Sequence, residues 1–203
     1  IIILAEWRLF MAGFKSIFLK NIKKYKYIII LFIGVLIGSC YINFIRKGLI
    51  QSMDIYSDKY LSDYIDTSVN NITLWQYIIR TRLRDFIVLC GVGLTIFSNA
   101  ALSLYIFYLG ICNGLLISIA VMHYGFGGTL VYIISIFPHY IFYGVTLYLI
   151  TRLFGISGYS IKNIAARNVI FIILAAMVFL ITGTYFEAYI NPFLIKNLYM
   201  FLY

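Results

Sequence analysis

Pro138-His139 is the pair in this chain best placed to do chemistry. It lies inside residues 86–151, a run that holds no Asp, Glu, Lys or Arg. An ionisable group in so apolar a setting is costly and is commonly functional. A structural role competes with that and is the favoured reading. Pro138 frees a backbone carbonyl, and His139 can help repair the hydrogen bonding around it. The other histidine, His123, sits beside a glycine turn, HYGFGG, where a solvated histidine is ordinary. Glu187 is the one acid inside an expected membrane span, near the span's outer end. Gly155-Ile156-Ser157-Gly158 fits a GxSG serine motif, but such a serine needs a histidine on a later crossing to activate it. Both histidines precede Ser157, and Ser157 falls among cations. There is no HExxH, no phosphate-cradling glycine loop and no second carboxylate close enough in sequence to form a hydrolytic pair.

Metal and redox chemistry find no foothold either. Cys40, Cys90 and Cys112 are far apart, without a CxxC pair, and read as small apolar filler. Asp54, Asp58, Asp63 and Asp66 do not follow the alternating ligand pattern of a calcium loop. Catalytic, metal-binding and cofactor-binding residues are therefore all expected to be absent. The net charge of +9 is explained by cations flanking a membrane, so nucleic acid is not an expected partner and membrane lipid is.

The elements that must carry these residues follow from the uncharged run. As one helix it would be ~100 Å long, against a hydrocarbon core of ~30 Å. It must cross the bilayer about three times. Only helices and closed barrels satisfy their backbone in lipid, and the period-two alternation of a barrel strand is missing. The composition agrees: 63% of residues are apolar and 11% charged, against ~25% charged in soluble domains. The expected fold is all-α: a polytopic helical membrane protein with about five transmembrane helices plus an N-terminal amphipathic surface helix.

Along the chain, 1–26 reads as a basic interfacial segment. Trp7, Phe10, Phe14, Ile17 and Phe18 share one helical face, and Lys15, Lys20, Lys23, Lys24 and Lys26 offer cations to anionic lipid heads. Residues 27–45 form the first crossing, with Gly34 and Gly38 spaced as GxxxG. Residues 46–83 form a polar loop with helices, acidic first and then basic through Arg80, Arg82 and Arg84. The apolar block 84–151 divides at Ser98-Asn99 and at HYGFGG into crossings at about 84–98, 100–122 and 129–151; the first is short enough to be tilted, partly re-entrant or continuous with an amphipathic helix expected over 74–85. Residues 152–167 form a basic connector, 168–190 the fifth crossing and 191–203 a short tail. Asn71-Ile72-Thr73 fits a glycosylation triplet, relevant only to a lumenal loop in a eukaryote. No cleaved signal peptide is expected in the stretch given.

Lys and Arg set the orientation. The N-terminal segment and the connector fall on one side of five crossings and hold nine of these cations to seven elsewhere. The expectation is a cytoplasmic N-terminus in a bacterial cell membrane.

Four places carry a family likeness. They are Gly93-Leu94-Thr95, Asn113-Gly114, Pro138-His139 and Glu187-Ala188-Tyr189-Ile190-Asn191-Pro192. With this layout the chain resembles the stage II sporulation protein M family, polytopic membrane proteins of the engulfment machinery in endospore-forming bacteria. The likeness covers roughly residues 20–195. It departs in one motif: Tyr140 stands where the family has glycine and Tyr143 where it has glutamate. The resemblance implies no catalysis. It implies a scaffold for stage II sporulation proteins D and P, which cut peptidoglycan at the septum. Gly93, Asn113, Gly114, Pro138, His139, Glu187 and Pro192 then become structural or partner-contact candidates. Small residues such as Gly91, Gly110, Ser118 and Gly144 are expected to let helices of this or another chain approach closely, permitting homo- or hetero-oligomers. The rival expectation is a transporter membrane subunit with its ATPase on another chain.

Overall fold

The computed structural model describes residues 25–45, 70–155 and 166–202. Helix α1 covers 25–45, its last five residues (Tyr41–Ile45) wound as a π-helix. Next come α2 (Asn71–Gly93), α3 (Ser98–Tyr124), α4 (Phe126–Ile136) and α5 (His139–Phe154). Last is α6 (Ala166–Tyr185), which continues through a π turn (Phe186–Ile190) into α7 (Asn191–Leu202). No strand occurs among the described residues. The expected surface helix with Lys15, Lys20, Lys23 and Lys24, most of the polar loop, and Ser157 in the connector lie outside the described residues.

Among the described residues, three helices are long and apolar enough to cross a membrane: Tyr25–Phe44, Ser98–Tyr124 and Arg167–Asn197. A fourth crossing is formed if α4 and α5, bent by 63° at their junction, count as one broken span. The expected count of five does not emerge by this standard. Residues 84–93 are no separate crossing; they are the last part of α2, and Leu94 to Phe97 make a turn closed by Thr95 N–H to Val92 O at 3.0 Å and Ser98 N–H to Thr95 O at 3.2 Å. Asn70 caps the start of α2, its side chain accepting from the Ile72 N–H at 3.0 Å. The last span also outruns its expected end at 190, because the π turn carries the helix past Pro192. Pro192 has no N–H for the Ala188 carbonyl. The wider turn regroups the ladder, with Asn191 N–H reaching Phe186 O.

One end of the bundle is well marked. Tyr27 Oη donates to Gly155 O at 3.2 Å and to Asn99 Oδ1 at 3.0 Å, and Lys26 Nζ donates to Asn99 Oδ1 at 2.8 Å. Ser98 Oγ donates to Phe154 O at 3.1 Å. The start of α1, the α2–α3 turn and the end of α5 therefore meet at one level. Above it sits the core of Phe86, Leu102, Ile150, Leu153, Phe154, Ala176 and Leu180.

α1 and α3 run parallel and touch backbone to backbone. A Cβ on Gly34 would lie 3.0 Å from Gly110 Cα, and one on Gly110 would lie 3.0 Å from Gly34 Cα. Gly38 and Gly114 repeat this against the Ile111 and Val35 carbonyls. Two GxxxG faces thus interlock, and Ser118 Oγ donates to Ser39 Oγ at 2.8 Å just beyond them. Gly125, at φ 58°, turns the chain from α3 into α4, a conformation open to glycine. Gly128 then presses on the Ala120 carbonyl. α4 ends where Pro138 cannot supply the next ladder hydrogen bond and Phe137 is extended (φ −87°, ψ 139°). The outward faces are apolar: Phe44, Ile96 and Phe126 are more than four-fifths exposed. Side chains so placed suit lipid as the surrounding solvent.

Candidate functional site

The polar groups of the bundle gather where α4 breaks into α5. Glu187 sits in the π turn after α6, a type of turn frequent at functional positions. Its Oε1 accepts from Arg82 Nη2 of α2 at 3.0 Å. Its Oε2 accepts from the Tyr143 hydroxyl of α5. The Arg82 guanidinium also lies over the Tyr143 ring, 5.0 Å from its centroid. Both carboxylate oxygens are thus engaged, and the ion pair is partly buried, with the Arg82 and Glu187 side chains 35% and 20% exposed.

His139 packs into the same junction. It is buried, with its ring edge-on to Tyr143 at 5.6 Å and to Tyr140 at 5.1 Å. Its Nδ1 is buried without a hydrogen-bond partner. Tyr140 and Tyr132 both donate to Asn113 Oδ1 of α3, at 2.9 and 2.7 Å. Asn113 Nδ2 returns a hydrogen bond to Leu109 O at 2.7 Å. From the α7 side, Asn191 Nδ2 donates to the Ser135 carbonyl in the last turn of α4, leaving its buried Oδ1 unpartnered.

The height of this junction follows from the helices. Asn113 is fourteen residues above Asn99, and Tyr140 fourteen residues from Phe154. At ~1.5 Å per residue both lie roughly 21 Å from the Tyr27 end, a distance shorter than the ~30 Å of a hydrocarbon core. Charges at that depth are rare and tend to pair with one another. Arg82 and Glu187 do so.

Beside the junction lies a cavity of about 410 Å³, between α1, α2, α3, α4 and α5. Its walls are chiefly apolar. Arg82, Asp85 and Asn113 and the tyrosines 105, 132, 140 and 143 add polar atoms.

Of the residues singled out from sequence, the fold brings His139, Glu187 and Asn113 together, through Tyr140 and Tyr143. Pro138 makes the break, and Pro192 follows the π turn beside them. Gly93 is elsewhere, at the far end of α2 against the Phe154 ring. Gly114 faces α1 and not the junction. Gly110, Gly114 and Ser118 are used inside this chain, whereas Gly91 and Gly144 have open space where a Cβ would stand. Lys26 is tied to Asn99. From sequence, Arg82 stands on an expected helix beside the membrane, where its pairing with Glu187 and the partner role of Tyr143 are not foreseen. The one signal for Tyr143 is its place: it stands where the resembled motif carries glutamate.

Among the described residues no group of three His, Cys, Asp or Glu could hold a metal ion. The junction can fix the mutual positions of α2, α4–α5 and α6–α7, and it offers charged and phenolic groups to the neighbouring cavity. Set against protein-family models, curated proteins and solved structures, the chain matches none of them.

Proposed function

We propose that this chain is a non-enzymatic integral membrane scaffold that recruits or positions peptidoglycan hydrolases at the septal membrane during engulfment. One observation carries the reading. Three of the four places that carry the family likeness are distant in sequence, yet Asn113, Pro138-His139 and the segment from Glu187 to Pro192 converge on one interior junction. There the polar groups are largely spent on one another, with Arg82 and Tyr143 taking both oxygens of Glu187. A catalytic carboxylate has to face substrate; this one holds helices together. On the resemblance, the partners are the stage II sporulation proteins D and P, and the place is the bacterial cell membrane with the N-terminus cytoplasmic. Lys26 and Arg152, close to the marked end of the bundle, agree with that orientation.

The test is crosslinking in the native membrane, followed by identification of the attached proteins. Capture of membrane-anchored wall hydrolases is expected. Recovery of the crosslinked chain with no wall hydrolase attached would remove the proposal.

A transporter subunit is the second reading, and the cavity favours it. Broken helices at mid-membrane, with half-helix ends beside a cavity, are how many transporters build substrate sites. Replacing His139 with Ala should then abolish flux while assembly persists. Loss of assembly without loss of any flux favours the scaffold.

A further inference from the structure

We propose that the cavity between α1, α2, α3, α4 and α5 is a binding site for a lipophilic organic cation. The argument begins with charge. Two side chains of the charged types line the cavity, Arg82 and Asp85. The Arg82 charge is already taken up by Glu187 at 3.0 Å and by the Tyr143 ring. Asp85 is different. Among the described residues its ion pair is with its own neighbour Arg84, at 3.5 Å, and that arginine is 73% exposed. A contact of that length between a half-buried carboxylate and an exposed guanidinium is weak. Both partners, Glu187 and Arg84, stand outside the wall, and the Arg82 pair is the tighter of the two, so the less compensated charge facing the cavity is that of Asp85.

The walls supply the second half of the recognition. Phe32, Phe86, Tyr105 and Tyr140 all line the space. Aromatic faces attract cations, most strongly where water is scarce. A carboxylate set among aromatic rings therefore selects an organic cation over an anion of the same shape. The depth selects for lipophilicity. Asp85 lies eight residues from Gly93, ~12 Å from the marked end of the bundle, so a ligand reaches it through an apolar medium. The size also fits: about 410 Å³ is within the ~300–1,000 Å³ of small-molecule sites. The proposal is independent of the scaffold reading, because it concerns a small ligand and not a protein partner.

Tetraphenylphosphonium and tetraphenylborate test it, since they share a shape and differ in the sign of charge. The full chain in detergent should bind radiolabelled tetraphenylphosphonium saturably, and tetraphenylborate at least tenfold more weakly. Asp85→Asn should weaken the cation at least tenfold. Arg84→Gln, a change at an exposed site, should tighten it several-fold by removing the competing cation. Gly144→Leu supplies a variant that leaves the carboxylate untouched. Gly144 lines the cavity and has no neighbour within 4 Å of a Cβ position, so the leucine enters the cavity and should displace the cation. Equal binding of the two probes overturns the proposal. So does tetraphenylphosphonium binding that neither Asp85→Asn nor Gly144→Leu reduces.

Discussion

Arg82 and Glu187 are 105 residues apart in sequence and 3.0 Å apart in space. One stands on the most polar helix of the bundle and the other in a π turn of its most apolar span. Removing a single partner strands a charge in a low-dielectric setting, which costs more than removing both. Glu187→Gln and Arg82→Met should each destabilise the protein by about 3 kcal/mol. The double variant should recover part of that loss. Thermal unfolding in detergent, run as a double-mutant cycle, checks the coupling. Additive losses would show that the pair does not hold α2 in place.

The α1–α3 contact makes a steric prediction. Gly34→Leu or Gly110→Leu forces the two backbones apart and should cost ~1–3 kcal/mol or more. Gly91→Ala is the contrast, since a Cβ there meets nothing within 4 Å. Inside a helix that change should be neutral or stabilise by up to ~1 kcal/mol. The comparison is read from unfolding midpoints of the three variants.

Tyr27→Phe removes the hydroxyl that joins α1 to Gly155 and Asn99. A loss of ~1 kcal/mol is expected, with little change in the rest of the bundle. Easier proteolysis near residue 155 than in the parent chain is the corresponding local readout.

Ile96 and Phe126 lie beyond opposite ends of α3, and both are exposed. In a background with Cys40, Cys90 and Cys112 replaced, single cysteines at these two positions should react with a membrane-impermeant label from opposite sides. Labelling of both from the same side would mean that α3 does not cross.

The three apolar spans are legible in sequence because hydropathy is local: each helix meets lipid along most of its length, and its own residues record that. α2 is not legible in the same way. Its helix is legible over 74–85, but Arg80, Arg82, Arg84 and Asp85 mark that stretch as solvated, and the group that reconciles Arg82 with the bundle lies more than a hundred positions away. Gly34 and Gly38 announce a packing face, but the spacing does not name its counterpart. Gly110 and Gly114 look equally suited to a helix of another chain until the fold shows α1 against them. Pro138 and His139 stand out in sequence, whereas Tyr143, apart from its place in the resembled motif, carries no mark of its tie to Glu187, since a tyrosine in an apolar helix is ordinary.

The late position of Glu187 has a consequence for biogenesis. Translation delivers α2 while the carboxylate that neutralises its guanidinium is still unmade. A nascent helix with three arginines resists partitioning into lipid by its own hydropathy. Arg82 must therefore wait at the headgroup level or in the insertion machinery until α6 and its π turn emerge, so a segment made about a hundred residues later completes the seating of one made earlier.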